Sequence, residues 1–304
     1  MDGLIYLKDM DTKSVDLVNK IAKLGYHDTP LFNMIQKAVP SAKTETALGH
    51  TWLYEQGVEA DADNAHKEGS APAEFEHGVL GESKNHFQII KHSYGITGSM
   101  EGKTDIEGTT RLAKEGTRKA IQHRLTIEKL LFSDQAPQQR TAENGMLGKA
   151  GGLKHWCTND NTLALSTDDI SIKFLREMFK IGYYEGMPTT HIFVSDKQKD
   201  KLDDIYASIV RGTVGMTVMK DTNYHQLENF AYAPKVKVIM SKYVNDDEIL
   251  GINAGSLALA YQRLTAKKDI PTGDDVIQKQ LISELTLRVN NPYGVTRISG
   301  LKVD

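Results

Sequence analysis

The chain has 304 residues, with 37 Lys plus Arg against 40 Asp plus Glu and a formal net charge of −3. That near-balance excludes the strongly basic footprint of a dedicated nucleic-acid binder, and the one cysteine, Cys157, excludes an internal disulfide framework or a thiolate zinc site. At 39% hydrophobic residues a core can be built, and the length is about twice the roughly 150 residues of an ordinary domain, so two lobes are expected.

In chain order, residues 1–30 mix short apolar steps with charge and end at Thr29-Pro30, which favours extended backbone. Asp2 and Asp9 stand where a signal peptide needs positive charge. Leu31, Phe32, Met34, Ile35 and Val39 form a patch too thin to fold alone, so this segment reads as an arm. Strands are predicted from Thr46 to Tyr54, through Thr51, Trp52 and Tyr54, and from Phe87 to Thr97. In the second, Ile90, His92, Tyr94 and Ile96 share one face, with Phe87 and Ile89 on the other. Between the strands, 55–84 carries only Val58, Phe75, Val79 and Leu80 as sizeable apolar groups, and reads as a functional excursion. Residues 105–133 form the longest predicted helix, with a narrow stripe through Ala113, Ala120 and Ile127 beside Ile121, Leu125 and Phe132. Such a helix lies along a surface rather than through a core.

A Gly-containing link through Gly145, Gly148, Gly151 and Gly152 leads into an α/β pattern. Ser166-Thr167-Asp168-Asp169 is expected to cap a helix reaching Tyr184, stopped by Gly186 and Pro188. A strand at His191 to Val194 follows, then a helix to about Arg211 capped by Ser195 or Asp196, then strands at 213–219, 235–241, 248–253 and 257–262. A link at 264–275 precedes two closing strands, 279–289 and 294–301. Tyr183, Tyr184 and the methionines at 178, 216, 219 and 240 are expected in this lobe's core. The most apolar stretch, Leu250 to Tyr261, is interrupted by Asn253 and Ser256 and is shorter than the roughly 18 residues of a membrane span.

Catalytic and ligand motifs fail one after another. Gly148-Lys149-Ala150 has the Gly-Lys pair of a phosphate loop, but Glu143 replaces the first glycine and Ala150 the hydroxyl that would hold magnesium. Asp61 and Asp63 open like a calcium loop, yet Ala65 and His66 occupy the next ligand and glycine positions. His50, His66, His77, His86 and His92 concentrate around the excursion without metal-ligand spacing on a helix. Ser99 lacks a nucleophile elbow, and Cys157 beside Trp156 reads as a small buried hydrophobe. No catalytic residue, cofactor or metal site is expected.

The order of the pieces resembles the major capsid proteins of tailed bacteriophages with the Hong Kong 97-type fold. Asp28-Thr29-Pro30-Leu31-Phe32 resembles the arm signature of one such family, and His50-Thr51-Trp52-Leu53 the aromatic strand entering its extended loop. Glu68-Gly69 matches an acidic-Gly step in that loop, and Asn85-His86-Phe87-Gln88-Ile89 its returning strand. Glu284-Leu285-Thr286-Leu287, Asn291-Pro292-Tyr293-Gly294 and Ile298-Ser299-Gly300-Leu301 resemble its closing strands. The resemblance implies an α+β chain with an N-terminal arm (1–45), an extended loop in the form of a two-stranded ribbon (46–98), a peripheral domain with a spine helix (99–152 and 271–304) and an axial domain (153–270). It implies a structural protein, not an enzyme, that self-assembles into an icosahedral shell around double-stranded DNA. The implied partners are other copies in hexamers and pentamers, a separate scaffolding protein, a portal, packaged DNA held by weak non-specific contact and, optionally, a decoration protein, with no membrane. The implied location is the virion, and the host cytoplasm during assembly. Lys67, Lys84, Asn290 and Asn291 are residue types that some relatives cross-link, but no matching motif carries that over.

Long arms and ribbons let one subunit reach several neighbours. The expected subunit contacts are Phe32, Trp52, Tyr54, Glu68, Phe75, Phe87, Gln88 and Ile89, with Arg111 and Arg118 on the spine helix. Trp52, Tyr54, Phe75, Phe87 and Ile89 are the expected anchors. Arg111, Lys114 and Arg118 could touch DNA, although tight binding needs many more neutralised phosphates. The competing reading is a cytosolic α/β enzyme whose lid is 55–84 and whose site lies in the 153–270 lobe.

Overall fold

The computed structural model describes residues 28–38, 49–55, 62–70, 77–104, 108–212, 225–230 and 232–303. The arm before Asp28, the strand expected at 213–219, Val58, Phe75, Met216 and Met219 lie outside these residues. Two sheets carry the fold. A four-stranded sheet runs β1 (Gln36–Ala38), β10 (Leu257–Ile270), β11 (Val276–Val289), β4 (Gln88–Thr97). A six-stranded sheet runs β5 (Thr162–Asp168), β12 (Val295–Leu301), β9 (Glu248–Ile252), β6 (His191–Val194), β8 (Ala233–Met240), β7 (His225–Phe230). A separate two-stranded ribbon joins β2 (His50–Glu55) to β3 (Leu80–Asn85).

Alternation explains β4. Ile90, Tyr94 and Ile96 are buried, and Ile89, Lys91 and Ser93 point outward. The strand pairs antiparallel with β11 from Gln88↔Leu285 to Thr97↔Val276. The buried face receives α2 (Arg111–Leu131), whose Gly116, lacking a Cβ, allows the Tyr94 phenol to come close. Only the first half of α2 is shallow. Ile127, Leu130 and Leu131 are buried in the main core with Leu31, Phe132, Leu153, Leu257 and Leu287. The expected stripe through Ala113 and Ala120 faces solvent instead, because the true inner face includes the polar residues Glu115, His123 and Glu128. A pattern read from apolar residues alone could not find it.

The second core lies in the α/β lobe. α3 (Ile172–Tyr184) buries Leu175, Met178 and Phe179, and these pack with Ile192, Val194, Val236, Val238, Ile249 and Ile298 of the six-stranded sheet. Ser171 starts α3 by accepting from the Phe174 N–H at 3.4 Å. The expected Ser166–Asp169 cap is therefore displaced, and its first three residues belong to β5. Gly186, at φ 71°, ends the helix as expected. α4 (Asp196–Gly212) starts after Ser195, one of the two expected caps, whose hydroxyl accepts from the Gln198 N–H at 3.4 Å. Tyr183, Tyr184 and Met240 are exposed rather than in the core. Tyr183 instead meets Tyr232 edge-on and Tyr184 meets it at a tilt, with ring separations of 5.5 and 6.2 Å.

Sheet membership cuts across the expected boundary at 270/271. β10 precedes that boundary yet pairs with β11 in the four-stranded sheet, and β12 follows it yet lies between β5 and β9 in the other. Apolar residues of β10 and β11 that face the shared core explain the exchange, since Phe193, Leu250 and Ile252 of the lobe join Leu257, Leu259 and Leu285 in one cluster. The expected link at 264–275 is mostly strand, for β10 continues to Ile270.

Candidate functional site

The ribbon is built by alternation. β2 pairs antiparallel with β3 from His50↔Asn85 to Glu55↔Leu80, not with β4 as the sequence pattern suggests. On its inner face Trp52 is buried against Trp156, with ring centroids 5.6 Å apart. On its outer face Thr51, Leu53 and Glu55 are exposed, beside Lys84, Glu82 and Leu80 of the partner strand. Gly81 leaves room for the Tyr54 ring, which a Cβ there would displace. In the loop, Ser70 N–H donates to the Lys67 carbonyl at 3.0 Å, and Gly69 takes the φ of 77° that such a turn requires.

Asn85, fully buried, holds the ribbon's root. Its amide donates to the carbonyls of Leu287 (2.7 Å) and Gly151 (3.1 Å). Its carbonyl accepts from the N–H groups of Gly151 (2.7 Å) and His86 (2.9 Å). One side chain therefore ties the ribbon to β11 and to the loop after α2. That loop is closed by reciprocal backbone bonds between Gln138 and Lys149, at 2.9 and 3.0 Å. Within it the Asn144 carbonyl accepts from Thr141 N–H (3.0 Å) and Leu147 N–H (3.1 Å), and its amide donates to the Gln139 carbonyl (2.6 Å). Met146 is held at φ 61°, an uncommon backbone state for a side chain with a Cβ. Met146 and Leu147 are nonetheless 59% and 54% exposed. Arg140 fixes the loop to the ribbon's root, donating to the Phe87 carbonyl at 3.1 Å and pairing with Glu284 at 2.5 Å.

The arm's root is held by a carboxylate. Glu128 of α2, fully buried, accepts from the N–H groups of Leu31 (2.9 Å) and Phe32 (2.7 Å), the start of α1 (Pro30–Met34). Burial pushes its pKa up to about 7; the two N–H bonds oppose that shift and Asp28 adds to it. The raised value means that folding favours the protonated form. Stability from this group is complete below the unfolded pKa near 4.5 and falls as pH rises to about 7, by roughly 3 kcal/mol. His123, lowered to about 4 by burial and by His92, has the opposite sign. Glu128→Gln should remove the Glu128 part alone. The melting-temperature difference between variant and wild type should move in the variant's favour from pH 5 to pH 7.5, and a pH-independent difference would refute the shift.

The ten expected contact residues fall into distinct places. Phe32, Trp52 and Phe87 are buried within the subunit, so their rings are core and not surface anchors, a correction that follows from the Trp156 and arm packing. Gln88 is also engaged internally, accepting from Gln135 (2.7 Å) and the Ala150 N–H (3.1 Å). Tyr54 is half-buried over Gly81. Glu68, Ile89 and Arg118 are exposed, and Arg111 is half-buried. Arg111 and Arg118 lie 3.9 and 3.7 Å from Glu115. Phe75 lies outside the described residues. Sequence reasoning missed Asn85 and Glu128 as polar anchors and the Thr141–Leu147 loop, although Gly145 and Gly148 signalled a tight turn there.

Among the described residues no acid–base constellation emerges. The Cys157 thiol is pushed up to about 12 by burial, which leaves it protonated and unreactive. His92 and His123 face each other at 3.0 Å between Nδ1 atoms, and His123 Nε2 lies 2.7 Å from Ser283 Oγ. They form a polar chain between α2 and the sheet, buried at His123 and Ser283 and half-buried at His92. Among the described residues no three His, Cys, Asp or Glu side chains gather as metal ligands.

The comparisons assign this architecture. The chain is similar over 97% of its length, at 14% identity and a TM-score of 0.65, to the capsid subunit of cyanophage A-1(L), of which 98% is covered. It is similar to the capsid subunit of cyanophage P-SCSP1u, with a TM-score of 0.63 and 8% identity over 96% of this chain and 93% of that one. The SrpI encapsulin of Synechococcus elongatus gives 0.61 and 10% identity, covering 94% of each chain. At these identities the likeness establishes the fold, which is the Hong Kong 97-type capsid fold with its α+β composition. No curated protein matches the chain. The family model for SU10 major capsid protein matches residues 6–302, which sets aside the enzyme reading and with it the lid role of 55–84. Over nearly its whole length, then, the chain belongs to the SU10 major capsid protein family, and its role is that of a structural subunit in a shell of many copies.

Proposed function

We propose that the subunit builds an icosahedral head around double-stranded DNA, and that the β2–β3 ribbon with the loop it carries is the element that reaches a neighbour. The observation that carries this is the ribbon itself. Its inner residues serve the subunit, while its outer face and the described part of its loop (62–70) are exposed throughout. An isolated two-stranded ribbon is marginal in water, and ordering about twenty further residues costs roughly 1–2 kcal/mol each. Contacts from other copies would supply the balance. On this reading Tyr54, Glu68, Phe75, Ile89, Arg111 and Arg118 are the contact residues. The remaining roles are a separate scaffolding protein, a portal, weak contact with DNA through a chain of net charge −3 and, optionally, a decoration protein. Assembly would take place in the host cytoplasm, in hexamers and pentamers. The arm, ribbon, peripheral and axial parts would act as the sequence suggests, with β10 peripheral and β12 axial.

The test is deletion of the ribbon tip. Removal of 57–84 would strip β2 of its partner and unsettle Trp52, so the cut is confined to 57–78, replaced by a short Gly-containing turn. Thermal unfolding of the isolated subunit should stay within a few degrees of wild type, while ultracentrifugation and electron microscopy show particles lost. Normal particles from the deleted chain would end this reading.

A further inference from the structure

The seam between α2 and the four-stranded sheet holds two imidazoles against each other. His92 of β4 and His123 of α2 bring their Nδ1 atoms to 3.0 Å, a hydrogen bond that carries one proton. The protons along this chain follow from its ends. The Thr126 hydroxyl gives its hydrogen to the Gln122 carbonyl at 2.8 Å, so toward His92 Nε2, 3.4 Å away, its oxygen accepts. His92 therefore carries its proton on Nε2 and accepts at Nδ1. His123 then donates from Nδ1, and its Nε2 accepts from the Ser283 hydroxyl at 2.7 Å. All the ring nitrogens of the neutral pair are satisfied in this arrangement.

We infer that His92 and His123 form an acid-operated latch that holds the first half of α2 on β4 and β11, closed while the pair carries at most one added proton and opened by the second. With one added proton, His92 donates from Nδ1 and His123 passes its own proton to Nε2, where Ser283 accepts. An N–H···N bond still joins the rings. With two, one N–H faces another at 3.0 Å, each ring is positive, and no bond can form. The surroundings offer nothing to neutralise that charge. On α2, Lys119 opposes protonation of His92, and the Glu115 carboxylate is shared by Arg111 and Arg118, 3.9 and 3.7 Å away. From β11 come Leu281, opposite His92, and the uncharged Ser283, while Lys279 pairs with Asp269 at 2.9 Å. Tyr94 follows on the same face of β4, with Lys267 of β10 5.8 Å from its ring centre. Among the described residues no carboxylate pairs with either imidazole. The order of protonation agrees: burial and Lys119 lower half-buried His92 from 6.5, and burial with the charge on His92 lowers His123 to about 4. The latch sits where α2 is least anchored. Ahead of it the helix meets the sheet at Gly116 and Tyr94, and beyond it Ile127, Leu130 and Leu131 lie in the main core. Opening therefore frees 111–123 and leaves 127–131 in place, within one subunit and whatever the ribbon does.

Hydrogen exchange on the full chain at pH 7 and pH 4 tests it, with rates corrected for the intrinsic effect of pH. Protection of 111–123 relative to 127–131 should fall at least about tenfold at the lower pH, because the opened seam takes up protons that the closed pair refuses. The sign is that of a lowered folded pKa: the latch is fully stabilising above the ordinary 6.5 and weakens as pH falls toward about 4. His123→Gln should lose most of that drop, judged against its own protection at pH 7 so that altered stability does not mask the slope. A second measurement needs no variant. Nitrogen-15 NMR of the histidine-labelled chain should show a scalar coupling between two imidazole nitrogens across the Nδ1–H···Nδ1 bond at pH 7, and its loss at pH 4. A drop of the same size in His123→Gln, equal loss of protection along the whole of α2, or no coupling at pH 7 would overturn the latch.

Discussion

Glu248→Ala should lower the melting temperature by roughly 10 °C. Glu248, at the start of β9, is fully buried. It pairs with Lys154, which is itself buried, and its second oxygen lies 2.7 Å from Arg297 of β12. It also accepts from the Asn245 N–H at 3.0 Å. Removing the carboxylate strands a buried ammonium, which costs about 3–5 kcal/mol, and each kcal/mol is worth ~2–4 °C in a chain of this order of size. The charge left behind dominates the cost. Adding Lys154→Met to Glu248→Leu should therefore recover part of the loss, since an apolar pair of similar volume often does as well as a buried ion pair. Calorimetry reads both, and a single variant within about 2 °C of wild type would show that water reaches the site.

Asn85→Ala should cost about 3–5 kcal/mol, more than an ordinary buried hydrogen bond. It leaves the Gly151 N–H and the carbonyls of Gly151 and Leu287 without their partner, and each stranded buried group costs ~1–3 kcal/mol, not fully additively. Asn85→Asp is the sharper variant. It keeps the shape and the two accepting bonds but turns an oxygen toward two carbonyls, so it should destabilise at least as much as alanine. If aspartate is tolerated, the four-bond assignment fails. Because Asn85 sets the angle at which the ribbon leaves the body, both variants should lower particle yield beyond what their melting temperatures explain.

Much of the architecture was legible in the letters. β4, β6, β9, β11 and β12 lie where alternating or continuous apolar runs place them, α3 stops before Gly186, and α4 starts after Ser195, one of its two expected caps. β3 was not, because Leu-Gly-Glu-Ser-Lys-Asn has no β-branched or aromatic residue and is stabilised by its neighbour Tyr54. β5 was mistaken for a cap because Ser166, Thr167 and Asp168 suit both roles, and pairing with β12, more than 130 residues later, decides between them. The assembly surfaces were half legible. Aromatic residues drew attention to the ribbon, but Trp52 and Phe87 serve the core, and the outward face is written in leucine and glutamate. Glu128 and Asn85 look like surface residues in sequence, since nothing local announces that a carboxylate will cap a segment 97 positions away.

The exchange of strands between the two sheets has a consequence for synthesis. β12 separates β5 from β9, and β10 and β11 lie between β1 and β4. During translation, then, residues up to about 250 emerge with β5 and β4 still missing the strands beside them. The four-stranded sheet is complete only with β11, which ends at Val289, and the six-stranded sheet only with β12, which ends at Leu301. A nascent chain has its ribbon in sequence but not yet β11, to which Asn85 ties it. The ribbon's root is therefore fixed only once Leu287, 202 positions after Asn85, has been made.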